Sequence, residues 1–151
     1  MVKPDDLSPR IIESLYSEGI MLSEDVRSTF NLSDTSCEDP EDLSRIAMSC
    51  EALRTTTRMM QAIAWLLNHR AFFRGEISEF QLRRHSRLQI DYPAGEPANM
   101  ALLPPDVRAL VETTERFHAR IVRLDLHWRD NPLERDPDVL QLQRRINSII
   151  E

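Results

Sequence analysis

Apolar side chains recur along this chain in steps of three and four, the spacing that lines one face of an α-helix. The steps are interrupted by nine prolines, at positions 4, 9, 40, 93, 97, 104, 105, 132 and 137. Proline inside a helix costs about 3 kcal/mol or more, so helices belong in the proline-free stretches. Ser8-Pro9 reads as a helix start, with Ser as N-cap and Pro in the first turn. Ile11, Ile12, Leu15, Tyr16, Leu22, Val26 and Phe30 follow helical spacing behind it, which predicts a first helix over residues 9–30. Residues 31–39 read as a polar, acidic connector, and Asp39-Pro40-Glu41-Asp42 as a second start with Asp39 as the cap.

The most regular pattern follows. Leu43, Ile46, Cys50, Leu53, Thr57, Met60, Ala64, Leu67 and Ala71 alternate steps of three and four over four heptads. This is the seam of a long helix packed at a shallow angle against a partner, ended by Gly75 as a C-cap. Ser78 and Gln81 have the spacing of a capping box, which predicts a short helix over 78–85. Residues 86–104 read as a loop; Leu88, Ile90 and Tyr92 alternate, but three residues without a partner strand do not make a sheet. Pro104-Pro105-Asp106 opens a third long helix, striped by Val107, Leu110, Thr114, Phe117, Ile121, Leu124 and Trp128 and stopped at Asn131-Pro132. Asp136-Pro137 opens a last short helix with Val139, Leu142, Ile146 and Ile149 on one face.

The predicted fold is all-α: an antiparallel, up-down-up bundle of three long helices, with a short helix after helix two and a short C-terminal helix. The 151 residues form a single domain, with the bundle core at about 8–130 and a C-terminal arm at 131–151. Met59 and Ile63 on helix two and the Ile146, Ile149 and Ile150 set exceed what three helices need to bury, which implies a homodimer or a docked C-terminal helix.

Composition narrows the class. Three glycines and 6% aromatics argue against a sandwich or barrel. The net charge of −6 is unevenly placed: residues 1–51 carry 12 acids against 4 bases, 52–88 carry 7 bases against 2 acids, and 89–151 carry 11 acids against 8 bases. Such a distribution suits docking to charged proteins or self-association better than nucleic-acid binding. Cys37 and Cys50 have neither metal nor CxxC redox spacing and read as reduced thiols. The first residues hold no signal-peptide core, and the apolar run 62–67 is far short of the ~20 residues a membrane span needs, so a cytoplasmic protein without a membrane partner is expected.

No catalytic, cofactor-binding or metal-binding constellation emerges. His69, His85, His118 and His127 never pair at helical i, i+4 spacing, and HExxH, GxSxG, GxxxxGK[ST] and GxGxxG are absent. His69, beside Arg70 and Arg74, is the one candidate for a histidine phosphotransfer module, the alternative to a docking protein. Such modules usually carry Lys three residues after the His and Gly just beyond; here Phe72 stands at the third position and Gly75 six residues on. The plain reading of His69 is a helix end where His and Arg answer the dipole. The partner-binding candidates are Arg70, Arg74, Arg83, Arg84 and Arg87, a basic cluster that serves either as a solvated face or as a docking patch for an acidic protein surface. A sequence pI near 5.3 speaks against nucleic acid. Thr57 and Thr114, polar members of apolar seams, are expected to bond the i−4 carbonyl. The apolar face of 139–150 is a second docking candidate, as a helix in a groove.

Residues 53–60 (Leu-Arg-Thr-Thr-Thr-Arg-Met-Met), 64–70 (Ala-Trp-Leu-Leu-Asn-His-Arg), 75–83 (Gly-Glu-Ile-Ser-Glu-Phe-Gln-Leu-Arg) and 102–105 (Leu-Leu-Pro-Pro) resemble the regulator of CtrA degradation family, RcdA. The resemblance covers residues 8–130 and fades after Asp130. It implies a small helical bundle, usually dimeric and without cofactor. It also implies a non-enzymatic adaptor that helps the ClpXP protease, or its accessory regulators, engage protein substrates during the bacterial cell cycle.

Overall fold

The computed structural model describes residues 7–32, 42–88 and 94–130, together with Arg145, Ile146 and Ile149. It is all-helical, with no strand among the described residues. Three long helices, α1 (Pro9–Leu32), α2 (Leu43–Phe73) and α5 (Pro105–Asp130), pack each against the other two, and two short ones, α3 (Glu79–His85) and α4 (Pro97–Met100), lie against α2.

The local signals act much as the residue types dictate. The Ser8 hydroxyl accepts from the Ile11 amide at 3.4 Å, and Pro9 is the first helical residue. Ser78 and Gln81 form the reciprocal capping box of α3, with Ser78 N–H donating to the Gln81 side chain at 2.9 Å and Gln81 N–H to the Ser78 hydroxyl at 3.2 Å. At the end of α2, Glu76 N–H donates to the Ala71 carbonyl at 2.9 Å and Gly75 N–H to the Phe72 carbonyl at 3.0 Å, a Schellman pair. It needs a left-handed residue at position 75, where glycine has φ 75°. The start of α2 differs from expectation: Asp42, not Asp39, is the cap, its carboxylate accepting from Ser44 N–H at 3.0 Å. The expected helix after Pro137 falls mostly outside the described residues, of which Arg145, Ile146 and Ile149 are helical. The four-residue α4 lies inside the segment expected to be loop.

Contacts fix the helix directions. Glu13 of α1 meets Arg70 of α2, and Gly19 lies against Ile63, so α1 and α2 are antiparallel. Along α2, Arg58, Trp65 and His69 meet Thr114, Asp125 and Trp128 of α5 in the same order. Helices α2 and α5 are therefore parallel, and the up-down-up order does not hold. The connection between them carries the chain back beside the first half of α2: Arg54 donates to the Ala94 carbonyl at 3.2 Å and Glu96 N–H donates to Glu51 at 3.1 Å. Only after that return does α5 begin, which is why it runs with α2.

The core is built from Ile12, Leu15, Leu22 and Val26 of α1, Met59, Ala62, Trp65 and Leu66 of α2, and Phe117 and Ile121 of α5, extended by Leu103, Val107 and Val111 around Phe30. Met59 and Ile63, read as surplus, belong to this core. The larger correction concerns α2. Its inward face is Ala47, Glu51, Thr55, Arg58, Met59, Ala62, Trp65, Leu66 and His69. The regular seam points the other way: Leu43 is 69% exposed, Leu53 70% and Met60 67%, and Ile46, Cys50 and Leu67 are exposed too. Thr57 bonds the Leu53 carbonyl at 2.9 Å as expected, but on this outer side rather than within the core.

Close packing of α1 depends on Gly19. A Cβ there would stand 2.8 Å from Ile63 Cδ1 and 3.1 Å from Phe117 Cζ. Gly19→Leu should lower the unfolding free energy by about 1–3 kcal/mol through overpacking, read by urea denaturation.

Candidate docking surface

Because α2 and α5 are parallel, their C-terminal turns share one end of the bundle, and α3 follows directly from α2 at that end. The last turns supply Arg70 on α2 and His127 and Arg129 on α5, where cations answer the negative helix ends. The five arginines of the basic cluster divide here by role. Arg70 donates to Glu13 at 2.7 Å and lies 4.7 Å over the Tyr16 ring, clipping α2 to α1. Arg83 pairs with Glu79 at 3.1 Å and lies 4.7 Å over the Trp128 ring, clipping α3 to α5. Arg129 reinforces that clip: it binds Asp125 at 2.9 Å and donates to the carbonyls of Arg83 and Ser86. Leu82, fully buried, anchors α3 beneath them.

Arg74, Arg84 and Arg87 are the exposed remainder. Arg74 has only a 3.9 Å approach to Glu13, and no ion pair holds Arg84 or Arg87 among the described residues. The sequence cluster is thus two structural clips and three surface cations. Of the second candidate face, Ile146 and Ile149 are exposed, and residues 139–144 lie outside the described residues.

The ionisable groups that do gather lie inside the bundle, where residue spacing gave no warning. Glu51 is fully buried, and one carboxylate oxygen accepts from Glu96 N–H at 3.1 Å and Asn99 Nδ2 at 3.3 Å, serving the start of α4. Arg58 donates to the Thr114 hydroxyl at 3.0 Å and approaches Glu115 at 3.7 Å; Glu115 in turn accepts from Gly95 N–H at 2.7 Å. Thr114 itself donates to the Val111 carbonyl at 2.7 Å, one residue nearer than the expected i−4 partner. These bonds tie α2, α4 and α5 together. No group of three His, Cys, Asp or Glu side chains converges as a metal site among the described residues.

His69 belongs to this interior. It is fully buried, with Nδ1 3.0 Å from the Trp65 carbonyl, its ring stacked 3.8 Å from Trp65 and set edge-on to Trp128 at 5.2 Å. A phosphoryl carrier must offer its imidazole to a second protein, and this ring is sealed between two indoles. The neighbouring Arg70, expected to steady phosphate, is engaged by Glu13.

His118 is buried too, and burial, then the nearby Arg58 cation, hold its pKa below the ordinary imidazole value of 6.5. The unfolded chain therefore takes up a proton that the native state resists. Its contribution to stability is intact above about pH 6.5 and is lost as pH falls below that value toward the depressed native pKa. Urea midpoints should drop on acidification from pH 7 through pH 6, and His118→Gln should flatten that part of the profile; an unchanged slope would contradict this origin.

The ionisable groups that gather in this helical bundle are bonded within it, and Arg74, Arg84 and Arg87 are exposed. The chain belongs to a family of unknown function, DUF1465, which matches over residues 3–150. No curated protein and no solved structure matches it. No helix among the described residues is long and apolar enough to cross a membrane.

Proposed function

We propose that this protein is a non-enzymatic adaptor in the bacterial cytoplasm, one that assists ATP-dependent proteolysis by ClpXP in the manner the RcdA resemblance implies. It acts by holding a substrate and the protease, or an accessory regulator, at the same time, so that the second contact becomes effectively intramolecular. One observation carries this reading: the polar groups that lie together serve as clips and helix caps within the bundle, while cations and apolar side chains remain outside. Arg74, Arg84 and Arg87 supply the docking cations for an acidic protein surface. Exposed charges of this kind act chiefly on the association rate, so the contact weakens with salt.

The test is reconstituted degradation of candidate substrates by purified ClpXP, with and without this protein and accessory regulators. Stimulation is expected, and Arg74→Glu/Arg84→Glu/Arg87→Glu should reduce it at least tenfold while circular dichroism stays unchanged. Absence of both binding and stimulation in every combination would remove the adaptor reading. Stimulation indifferent to the triple variant would move the docking surface elsewhere.

A further inference from the structure

Helices α1 and α5 leave a groove open along one side of the bundle. It holds about 320 Å³ and is lined by Arg10, Ile11, Ser14, Leu15, Glu18 and Arg120. Its α1 wall is the row Ile11, Ser14, Glu18 and Met21, which steps by three, four and three. Met21, one turn beyond Glu18, is 71% exposed. The same spacing recurs after α5, in Val139, Leu142, Ile146 and Ile149. Of these, Ile146 and Ile149 are described, helical and exposed. Each row is about 15 Å long as a helix.

We propose that the segment after α5 turns back over residues 131–137 and docks in this groove as a further helix of its own bundle, parallel to α1 and antiparallel to α5. With Val139 level with Ile11, Leu142 falls beside Ser14, Ile146 beside Glu18 and Ile149 beside Met21. Leucine then meets a small side chain, and the flexible thioether adapts to the isoleucine. Glu18 is paired with Arg120 across the groove, so Ile146 meets the aliphatic stems of a neutralised pair and not a lone charge.

The path of the chain selects the groove and its occupant. Glu18 pairs with Arg120 and Gly19 lies against Phe117, and with α1 antiparallel to α2 and α2 parallel to α5, α1 starts where α5 ends. The groove therefore begins beside the point at which the chain leaves α5. The seven residues 131–137 reach up to about 23 Å, and packed helix axes lie only about 8–10 Å apart. The α2 side of α5 is occupied at this end. Arg129 donates to the carbonyls of Arg83 and Ser86, and Arg83 lies over Trp128, so α3 fills that side. Charge agrees with the register: Asp138 falls beside the exposed Arg10, and Arg145 flanks the apolar row near the level of Glu18. Arg144 falls on the outward face, and Glu151 lies past Ile149, toward the exposed Arg116.

This docking stands apart from the adaptor reading, because its test reads the geometry of one chain and not degradation. In the full chain carrying Cys37→Ser/Cys50→Ser, the pair Met21→Cys/Ile149→Cys puts one thiol on each row. At low micromolar concentration a short bis-maleimide should join them within one chain at least tenfold faster than in Met60→Cys/Ile149→Cys, whose first thiol lies on the outer face of α2. Adding Ile146→Asp should bring the two rates together with helical circular dichroism retained. Equal rates in the two pairs, or faster coupling to position 60, overturn the proposal. So does coupling at position 21 that joins two chains rather than one, or that is indifferent to Ile146→Asp.

Discussion

Trp65→Ala should lower the unfolding free energy by about 3–5 kcal/mol, the cost of emptying a well-packed aromatic site. For a chain of this length that corresponds to a fall in Tm of about 6–20 °C. Trp65 is buried in the main core cluster, stacks on His69, and donates from Nε1 to Asp125 at 2.9 Å. Truncation removes the shared wall of α1, α2 and α5 in one step. The carboxylate it leaves behind is not abandoned, since Arg129 still binds Asp125 at 2.9 Å, so most of the loss is packing. Trp65→Phe gives the smaller loss: it keeps a ring in the core, removes the indole donor with part of the ring volume, and should cost about 0.5–1.5 kcal/mol for a lost bond whose acceptor keeps Arg129. Denaturation followed by circular dichroism measures both. A loss under about 1 kcal/mol for the alanine variant would show that Trp65 is not the keystone its contacts describe.

What could be read from the sequence, and what could not, divides along α2. Local chemistry was legible: Ser8-Pro9, the Ser78–Gln81 box, Gly75 and the Pro104-Pro105 opening lie at helix boundaries because caps depend on neighbours within a few residues. The stripes of α1 and α5 face inward as expected, because each of those helices has a single apolar face. Helix α2 has two. The row Leu43 to Leu67 and the row Ala47, Glu51, Thr55, Arg58, Ala62, Trp65 and His69 share the same period on opposite sides, and periodicity does not say which of two neighbours a seam is built for. Hydropathy favours the first row, since Glu51, Arg58 and His69 read as surface residues. Their burial depends on partners far along the chain, the Glu96 amide and Thr114 among them, which no local pattern reveals. The direction of α5 was lost for a related reason: the return of residues 94–100 to the flank of Glu51 and Arg54 is a tertiary contact. The basic cluster was visible as a count of charges, but its division into the Arg70 and Arg83 clips and the exposed Arg74, Arg84 and Arg87 required Glu13, Tyr16 and Trp128 to be in place.

Arg58 gives the sharpest test of that interior row. It is 2% exposed and spans from the middle of α2 to Thr114 and Glu115 on α5. Arg58→Ala should cost about 2–5 kcal/mol, as for truncating a large buried side chain to alanine. The partners left behind indicate how that loss is composed. Thr114 keeps its own bond to the Val111 carbonyl, and Glu115, partly exposed, keeps Gly95 N–H and gains water. Neither becomes a buried orphan, so the greater part of the loss comes from the space vacated by the arginine stem. Arg58→Met refills that space without the charge, and Arg58→Lys keeps the charge without the planar fork that reaches two acceptors. If packing dominates, methionine recovers more than half of the alanine loss and outperforms lysine. The reverse order would mean that the charge of Arg58, and not its volume, holds α2 to α5. Urea denaturation of the three variants decides between the two. The methionine variant carries a second consequence: without the Arg58 cation, one of the two causes that depress the His118 pKa is gone. The acid-sensitive part of its stability profile should therefore shrink, and the part that remains comes from the burial of His118.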